Sequence, residues 1–292
     1  MKVFLPFVLL FVAQIASAAD PVPLVKTMTD PSATWEARCR AEDDLTNCVP
    51  RETLLALLQH AELKMPGGAI WNGAGRDFDK QAPVAWQIFY ATHRAWDVHT
   101  KKLTAAERQT LWPDLLRRTT TATAKVKVLQ ELANRWVPEA EAEAATLLAD
   151  PKQEFPVRRS AGFCLALHAG KQHHDQLVAL LEDAPAGERK SWFDVLADPR
   201  HQRLAGVDAR VVRLGFTLLE EERKRPPDNI HGAYFLAITL GSYLGQEFAP
   251  DQKDAKYHGP DGGLAESFFT DTVRNAEHWW GRNRDKYREQ NR

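Results

Sequence analysis

The chain has 292 residues, with 38 Lys and Arg against 39 Asp and Glu, and it is 44% hydrophobic and 26% charged. These ordinary globular proportions exclude a collagen, a wholly disordered chain and a disulfide-dense miniprotein. The net charge of -1 lacks the cationic excess that neutralises phosphates, so nucleic acid is not expected as a partner.

Lys2 is followed by an apolar run from Val3 to Ala13, and then by Ala16-Ser17-Ala18-Ala19-Asp20. The small residues at Ala16 and Ala18 form the A-x-A pattern of a signal-peptidase site. The run is too short to cross a hydrocarbon core of about 30 Å. The expectation is a signal peptide over 1–18, cleaved after Ala18 or Ala19. The mature protein is then exported, periplasmic or extracellular, and free of the membrane. The most apolar later stretch, Ala233 to Leu240, is also too short for a span.

Export permits disulfides, and the chain has three cysteines, Cys39, Cys48 and Cys164. Cys39 and Cys48 lie near the two ends of one predicted helix. A straight helix rising about 1.5 Å per residue holds them about 13 Å apart, whereas a bridge needs Cα atoms within about 7 Å. A Cys39–Cys48 disulfide therefore requires the chain to turn back after Leu45, with Thr46-Asn47 as the turn. Cys164 sits on an apolar stripe and reads as a small buried hydrophobe.

Nearly every segment has a helical period, with Pro and Gly between segments and no convincing alternating strand. Helices are predicted over 34–46, 51–63, 82–98, 104–117, 122–135, 138–149, 156–169, 173–183, 187–197, 204–224, 231–244 and 263–287. Thr104-Ala105-Ala106-Glu107 is a capping box. Pro138 and Pro156 suit first-turn positions, where no N–H is needed. Pro226-Pro227 stops the helix that ends in the charged run Glu220 to Arg225. The fold class is all-α.

Internal repetition separates a bundle from a stack. Asp30-Pro31, Ala37-Arg38, Ala41 and Leu45 recur 120 residues later as Asp150-Pro151, Val157-Arg158, Ala161 and Leu165. A weaker copy lies at Ala124-Lys125, Val128 and Leu132, and forty residues before it Val84, Ile88 and Thr92 fall in register. An offset of 120 divides into three units of about forty. The pattern of an apolar helix, an Asp-Pro turn and a second helix opening on Val-Arg resembles the HEAT repeats of armadillo-type proteins, best over 30–63 and 138–183. That resemblance implies a right-handed α-solenoid of helical hairpins over 19–225. The section 226–292 then forms a C-terminal cap: a loop over 246–263 and a long aromatic helix carrying Leu264, Phe268, Thr272, Ala276, Trp279 or Trp280, and Tyr287. An aromatic ligand platform is the competing reading of that stripe.

The basic residues Arg38, Lys125 and Arg158 share one register position. They either knit helices to turn acids such as Asp30 and Asp150, or line a concave face that meets an acidic partner. No HExxH, P-loop, GxSxG or CxxC occurs. His173 and His174 point in different directions from one helix start. Asp251, Asp254 and Asp261 miss the EF-hand spacing, and the glycines at 67, 68, 73 and 75 follow no strand. No catalytic, metal or cofactor residue is assigned. Trp71, in the loop Met65 to Lys80, is either a partner anchor or a packing residue.

Solenoids present extended surfaces, so the functional expectation is an exported scaffold that binds a protein or peptide and performs no catalysis. The alternative is an exported enzyme with its site in the solenoid concavity or near loop 246–263. A DNA-processing role, resembling alkylpurine DNA glycosylases in fold only, is opposed by export and by the acidic balance.

Overall fold

The computed structural model describes residues 19–61, 63, 65–67, 79–225, 230–259 and 262–288. The signal segment with its cleavage point at Ala18, the Trp71 loop segment and Pro226-Pro227 lie outside the described residues. Among the described residues the chain forms fourteen α-helices and no strand, as expected for an all-α protein. It divides into two compact units, Met1–Leu111 and Trp112–Arg292.

Unit 1 contains α1 (Pro21–Thr29), α2 (Trp35–Leu45), α3 (Pro50–His60) and α4 (Val84–Lys102). The helix α5 (Ala105–Arg118) begins in unit 1 and ends in unit 2. Each helix start has a local cause. Asp20 accepts the Val22 N–H ahead of Pro21, Thr34 accepts the Ala37 N–H, and Pro50 opens α3 where no donor is needed. The capping box forms: the Thr104 N–H donates to Glu107 at 2.7 Å, and the Glu107 N–H donates to Thr104 Oγ1 at 3.2 Å. Helix α1 packs against α2, α3 and α4, burying Val25 and Met28 completely. This helix was not among those predicted.

Unit 2 contains α6 (Ala122–Asn134), α7 (Glu141–Ala149), α8 (Phe155–His168), α9 (His174–Asp183), α10 (Ala186–Leu196), α11 (Pro199–Ala205), α12 (Ala209–Arg223), α13 (Ile230–Leu244) and α14 (Glu266–Asn283). The alternate helices α6, α8, α10 and α12 pack each against the next; α7 lies on α8, α9 on α10, α13 on α12, and α14 on α13. Helices α6 and α8 begin at 122 and 155, and α7 and α9 at 141 and 174. That is a step of 33 residues, shorter than the unit of about forty inferred from the 120-residue offset.

Two glycines set close contacts in this packing. A Cβ on Gly162 of α8 would meet the Trp192 ring at 2.7 Å, and one on Gly215 of α12 would meet Phe193 at 2.5 Å and Leu240 at 2.7 Å. The predicted helix 204–224 is two elements. Gly206 adopts φ 83°, which ends α11, and Asp208 then caps α12 by accepting the Arg210 N–H at 2.6 Å.

The predicted helix 263–287 ends as an α-helix at Asn283 and continues as a 3₁₀ turn, Arg284–Tyr287. Its Trp280 ring stacks on Phe216 of α12 with centroids 4.5 Å apart and planes within 7°. The loop before it contains a 3₁₀ turn, Ala255–Tyr257, and an isolated bridge between His258 and Leu264. Tyr257 is buried there and donates to Asp271 Oδ2 at 2.9 Å.

Candidate functional site

The three basic positions turn inward to backbone and amide acceptors. Arg38, in unit 1, is 4% exposed. Its guanidinium donates to Asp30 O at 3.3 Å, to Ala33 O and to Gln87 Oε1. Gln87 in turn donates to Ala82 O at 2.8 Å, so Arg38 ties the α1–α2 turn to the start of α4. In unit 2, Lys125 donates to Gln153 Oε1 at 2.9 Å, and Gln153 donates to Asp150 Oδ2 at 2.8 Å. Arg158 Nε donates to Leu148 O at 3.3 Å. Asp30 and Asp150 spend their own carboxylates on the turn, accepting the Ser32 and Lys152 N–H groups respectively. The Ser32 hydroxyl and the Gln153 amide first, and these backbone N–H groups second, hold the two aspartates below the usual carboxylate range.

The disulfide considered for Cys39 and Cys48 is not formed. After Leu45 the chain continues in tight turns, with the Thr46, Asn47 and Cys48 N–H groups donating to Asp43, Asp44 and Leu45 carbonyls. This prolongs the course of α2 instead of reversing it. The Cys48 thiol faces Asp44 O at 3.8 Å. Cys164 is fully buried, donates to Leu129 O at 2.8 Å, and has its thiol pushed up to about 12 by burial.

Unit 1 contains a buried ion cluster. Arg94 of α4 meets Glu42 of α2 through Nε at 2.8 Å and Nη2 at 3.1 Å, and also meets Asp79 through Nη1. The Glu42 and Asp79 side chains are only 7% and 2% exposed. A cavity of about 320 Å³ beside the cluster is lined by Glu42, Arg94, Asp97, His99 and Lys101. His99 is fully buried and its pKa falls to about 4, through burial first and the nearby Lys102 charge second.

Unit 2 carries the densest polar cluster, and local motifs do not announce it. His174 Nε2 lies 2.9 Å from Asp208 Oδ2, and His174 Nδ1 lies 3.0 Å from His201 Nε2. His201 Nδ1 lies 2.9 Å from Ala166 O. Arg210 grips Asp208 through Nε and Nη2, the latter at 2.7 Å, and reaches Asp175 at 2.6 Å. Tyr243 accepts the Asp208 N–H at 2.9 Å. Asp208 is held well below its ordinary pKa: burial opposes this, but the hydrogen bonds from His174 and Arg210 outweigh it. His173 points elsewhere, to Glu141 at 3.2 Å. Asp198-Pro199 repeats the Asp150-Pro151 turn in the sequence, and the helix it starts, α11, places His201 in this cluster.

These contacts share a spacing. Cys164 to Leu129, His168 to Ala133, His201 to Ala166, Arg210 to Asp175 and Asp208 to Tyr243 each span 35 residues. Side chains of one helix thus reach backbone or polar groups of an earlier or later one at a constant stagger. His168 is a structural member of this set, with its ring stacked on Trp136 at 5.0 Å.

A polar groove of about 450 Å³ lies between α6 and α8 in unit 2. Lys127, Gln130, Glu131 and Asn134 line it from α6, and Arg159, Ser160 and Phe163 from α8. On α6 these positions follow i, i+3, i+4, i+7, the stripe left over when Ala124, Val128 and Leu132 face the core. A second groove, about 520 Å³, runs beside the Trp280–Phe216 stack and is lined by Arg223, Lys224, Glu277 and Arg284. Near loop 246–263, Glu247, Asp251, Lys253 and His258 line a broad depression. The His258 ring is engaged there by Gln252 O at 2.9 Å and Gly262 O at 3.5 Å.

Among the described residues no three His, Cys, Asp or Glu side chains are grouped so as to hold a metal ion, and no helix is long and apolar enough to cross a membrane. No known family model, curated protein or solved structure matches the chain.

Proposed function

We propose that the chain is an exported HEAT-like repeat scaffold, a right-handed α-solenoid that binds a protein or peptide and performs no catalysis. The reading is supported by the serial packing of α6, α8, α10 and α12, each helix against the next. Stability in such stacks is a sum of nearest-neighbour interfaces, and the aligned outer stripes remain available to a partner. The observation that carries the binding role is the groove between α6 and α8. Its lining mixes charge, amide and an aromatic ring from two helices packed side by side, α6 and α8, a composition suited to the polar contacts and aromatic anchors of a non-obligate interface.

The chemistry of the buried clusters agrees with this role. Both His174 nitrogens and the Asp208 carboxylate face partners inside the fold, so neither offers a base or nucleophile to a substrate. Photo-crosslinking residues placed at Gln130 and at Ser160, with a control at Glu182 of α9, test the proposal in the native exported fraction. The expected result is the same discrete adduct from both groove positions and none from the control. No adduct from the groove, or equal labelling from all three positions, would remove the groove from the function.

A further inference from the structure

The His174–His201 contact fixes a proton count. Ala166 O can only accept, so His201 Nδ1 facing it at 2.9 Å carries a hydrogen. The Asp208 carboxylate, held ionised by Arg210 and His174, can also only accept, so His174 Nε2 at 2.9 Å carries a hydrogen. Each neutral imidazole has one N–H, and both are now assigned. The remaining nitrogens, His174 Nδ1 and His201 Nε2, stand 3.0 Å apart. With two neutral rings, lone pair would face lone pair at hydrogen-bond distance. A third proton turns that repulsion into an N–H···N bond, so the arrangement belongs to a singly protonated pair.

The charge around the pair gives the same answer. Asp175 and Asp208 contribute two negative charges and Arg210 one positive, so one proton on the histidine pair brings the cluster to neutrality. The other groups facing the pair are already balanced. On α11, Asp198 pairs with Arg200 at 2.9 Å. On α9, His173 pairs with Glu141. On α13, Tyr243 stays a neutral phenol, its pKa pushed up to about 12 by burial. Burial also lowers the His201 pKa, with the His174 charge adding to it. A fourth proton would set two charged rings against each other at this distance and is opposed.

We propose that His174 and His201 bind one proton in common, and that its loss as pH rises opens the seam joining α9, α11 and the start of α12, giving unit 2 an alkaline-side conformational switch. The sign follows from the bond. The native contact needs the proton, so the seam is closed when the pair is protonated and loosens once it is not. Asp208 keeps Arg210 and the His174 Nε2–H through this change but loses the positive charge on the pair. The inference rests on the unit 2 geometry alone and is independent of the scaffold proposal.

Peptide-resolved amide hydrogen exchange on the whole chain, corrected for intrinsic rates, tests it. Between about pH 5.5 and about pH 8.5, protection over 170–183 and 199–208 should fall by about tenfold or more, while α6 and α7 stay unchanged. His201→Asn keeps an N–H for Ala166 O but has no second ring nitrogen, so its profile should be flat across this range. A wild-type profile without a pH slope, or a His201→Asn slope equal to wild type, overturns the proposal. Should His201→Asn fail to fold, ¹⁵N-histidine NMR of the wild-type chain decides. The pair must show three nitrogen-bound protons at the acidic end and lose one across the transition. Two neutral rings at every pH with full protection would also overturn it.

Discussion

The two units tie their helices together with polar groups of different pH response. In unit 1 a guanidinium, Arg94 of α4, binds two nearly inaccessible carboxylates, Glu42 of α2 and Asp79 ahead of α4, and a second arginine, Arg38, secures the turn before α2. In unit 2 the corresponding work falls to imidazoles, a thiol and a phenol that reach across a 35-residue stagger. Guanidinium keeps its charge at every physiological pH, whereas imidazole titrates within that range. The comparison teaches that the guanidinium ties of unit 1 keep their charge where the imidazole ties of unit 2 titrate, although both units bury an ordinary apolar core.

The largest effect should come from removing the arginine of unit 1. Arg94→Ala removes the guanidinium that the buried Glu42 and Asp79 carboxylates share, and breaking one side of a buried ion cluster costs about 3–5 kcal/mol. Hydrogen exchange within α2 and α4 should accelerate accordingly, with unit 2 unaffected. A loss near zero would mean that the two carboxylates reach water.

The next effect separates the units by the direction of their pH dependence. His99 is neutral in the folded chain, with a pKa near 4 against an ordinary value near 6.5. A histidine whose folded pKa is depressed binds fewer protons in the folded state, so unit 1 should lose stability as pH falls from about 6.5 to about 4, by roughly 3 kcal/mol in total. His99→Leu should flatten that slope. Unit 2 should weaken toward alkaline pH through the His174–His201 pair. Identical slopes in the two units, measured by exchange on the same sample, would dissolve the comparison.

A third effect tests the packing that both units share. Gly215→Ala puts a methyl where Phe193 and Leu240 already sit within 2.7 Å, and overpacking of this kind costs about 1–3 kcal/mol. Gly206→Ala, at φ 83° in open space, should also destabilise, but by backbone strain alone. A thermal melt of each variant ranks the two. Equal stability to wild type for Gly215→Ala would show that α12 can move away from α10.

The helical class and most element boundaries were legible because apolar periodicity, Asp and Thr caps and first-turn prolines act locally. Helix α1 was missed because Pro21 and Pro23 disguise a first turn whose buried positions, Val25 and Met28, number only two beyond Pro21. Only Leu204 and Ala205 of helix α11 fall in a predicted helix, joined to α12, because nothing in the run Leu204 to Val212 announces that Gly206 is left-handed. The histidine cluster was illegible for a different reason. His174, His201 and Asp208 meet through tertiary packing of three elements, and no spacing rule links them. The inward course of Arg38 and Arg158 was legible in part, since the Asp-Pro turn recurs with the basic residue. Their acceptors are turn carbonyls, however, while the aspartate carboxylates fold back on their own backbone.

The smallest effect lies at the exposed end of that basic set. Lys125 holds Gln153 at 2.9 Å, and Gln153 holds Asp150, so a flexible ammonium braces a turn through one neutral amide. A net hydrogen bond of this kind contributes about 0.5–1.5 kcal/mol, and side-chain ordering offsets part of it. Lys125→Ala should therefore lower unit 2 stability by about 1 kcal/mol or less. Arg158→Ala, which also withdraws aliphatic stem from the α7–α8 contact, should cost more. Denaturant midpoints of the two variants give the order directly. If both variants keep wild-type stability yet lose the groove crosslinks at Gln130 and Ser160, the basic positions belong to the partner surface and not to the internal bracing. If Lys125→Ala is the more damaging of the two, the Gln153–Asp150 turn is a cooperative element of the stack, and the contrast between a guanidinium-tied unit 1 and an imidazole-tied unit 2 must be redrawn around that turn.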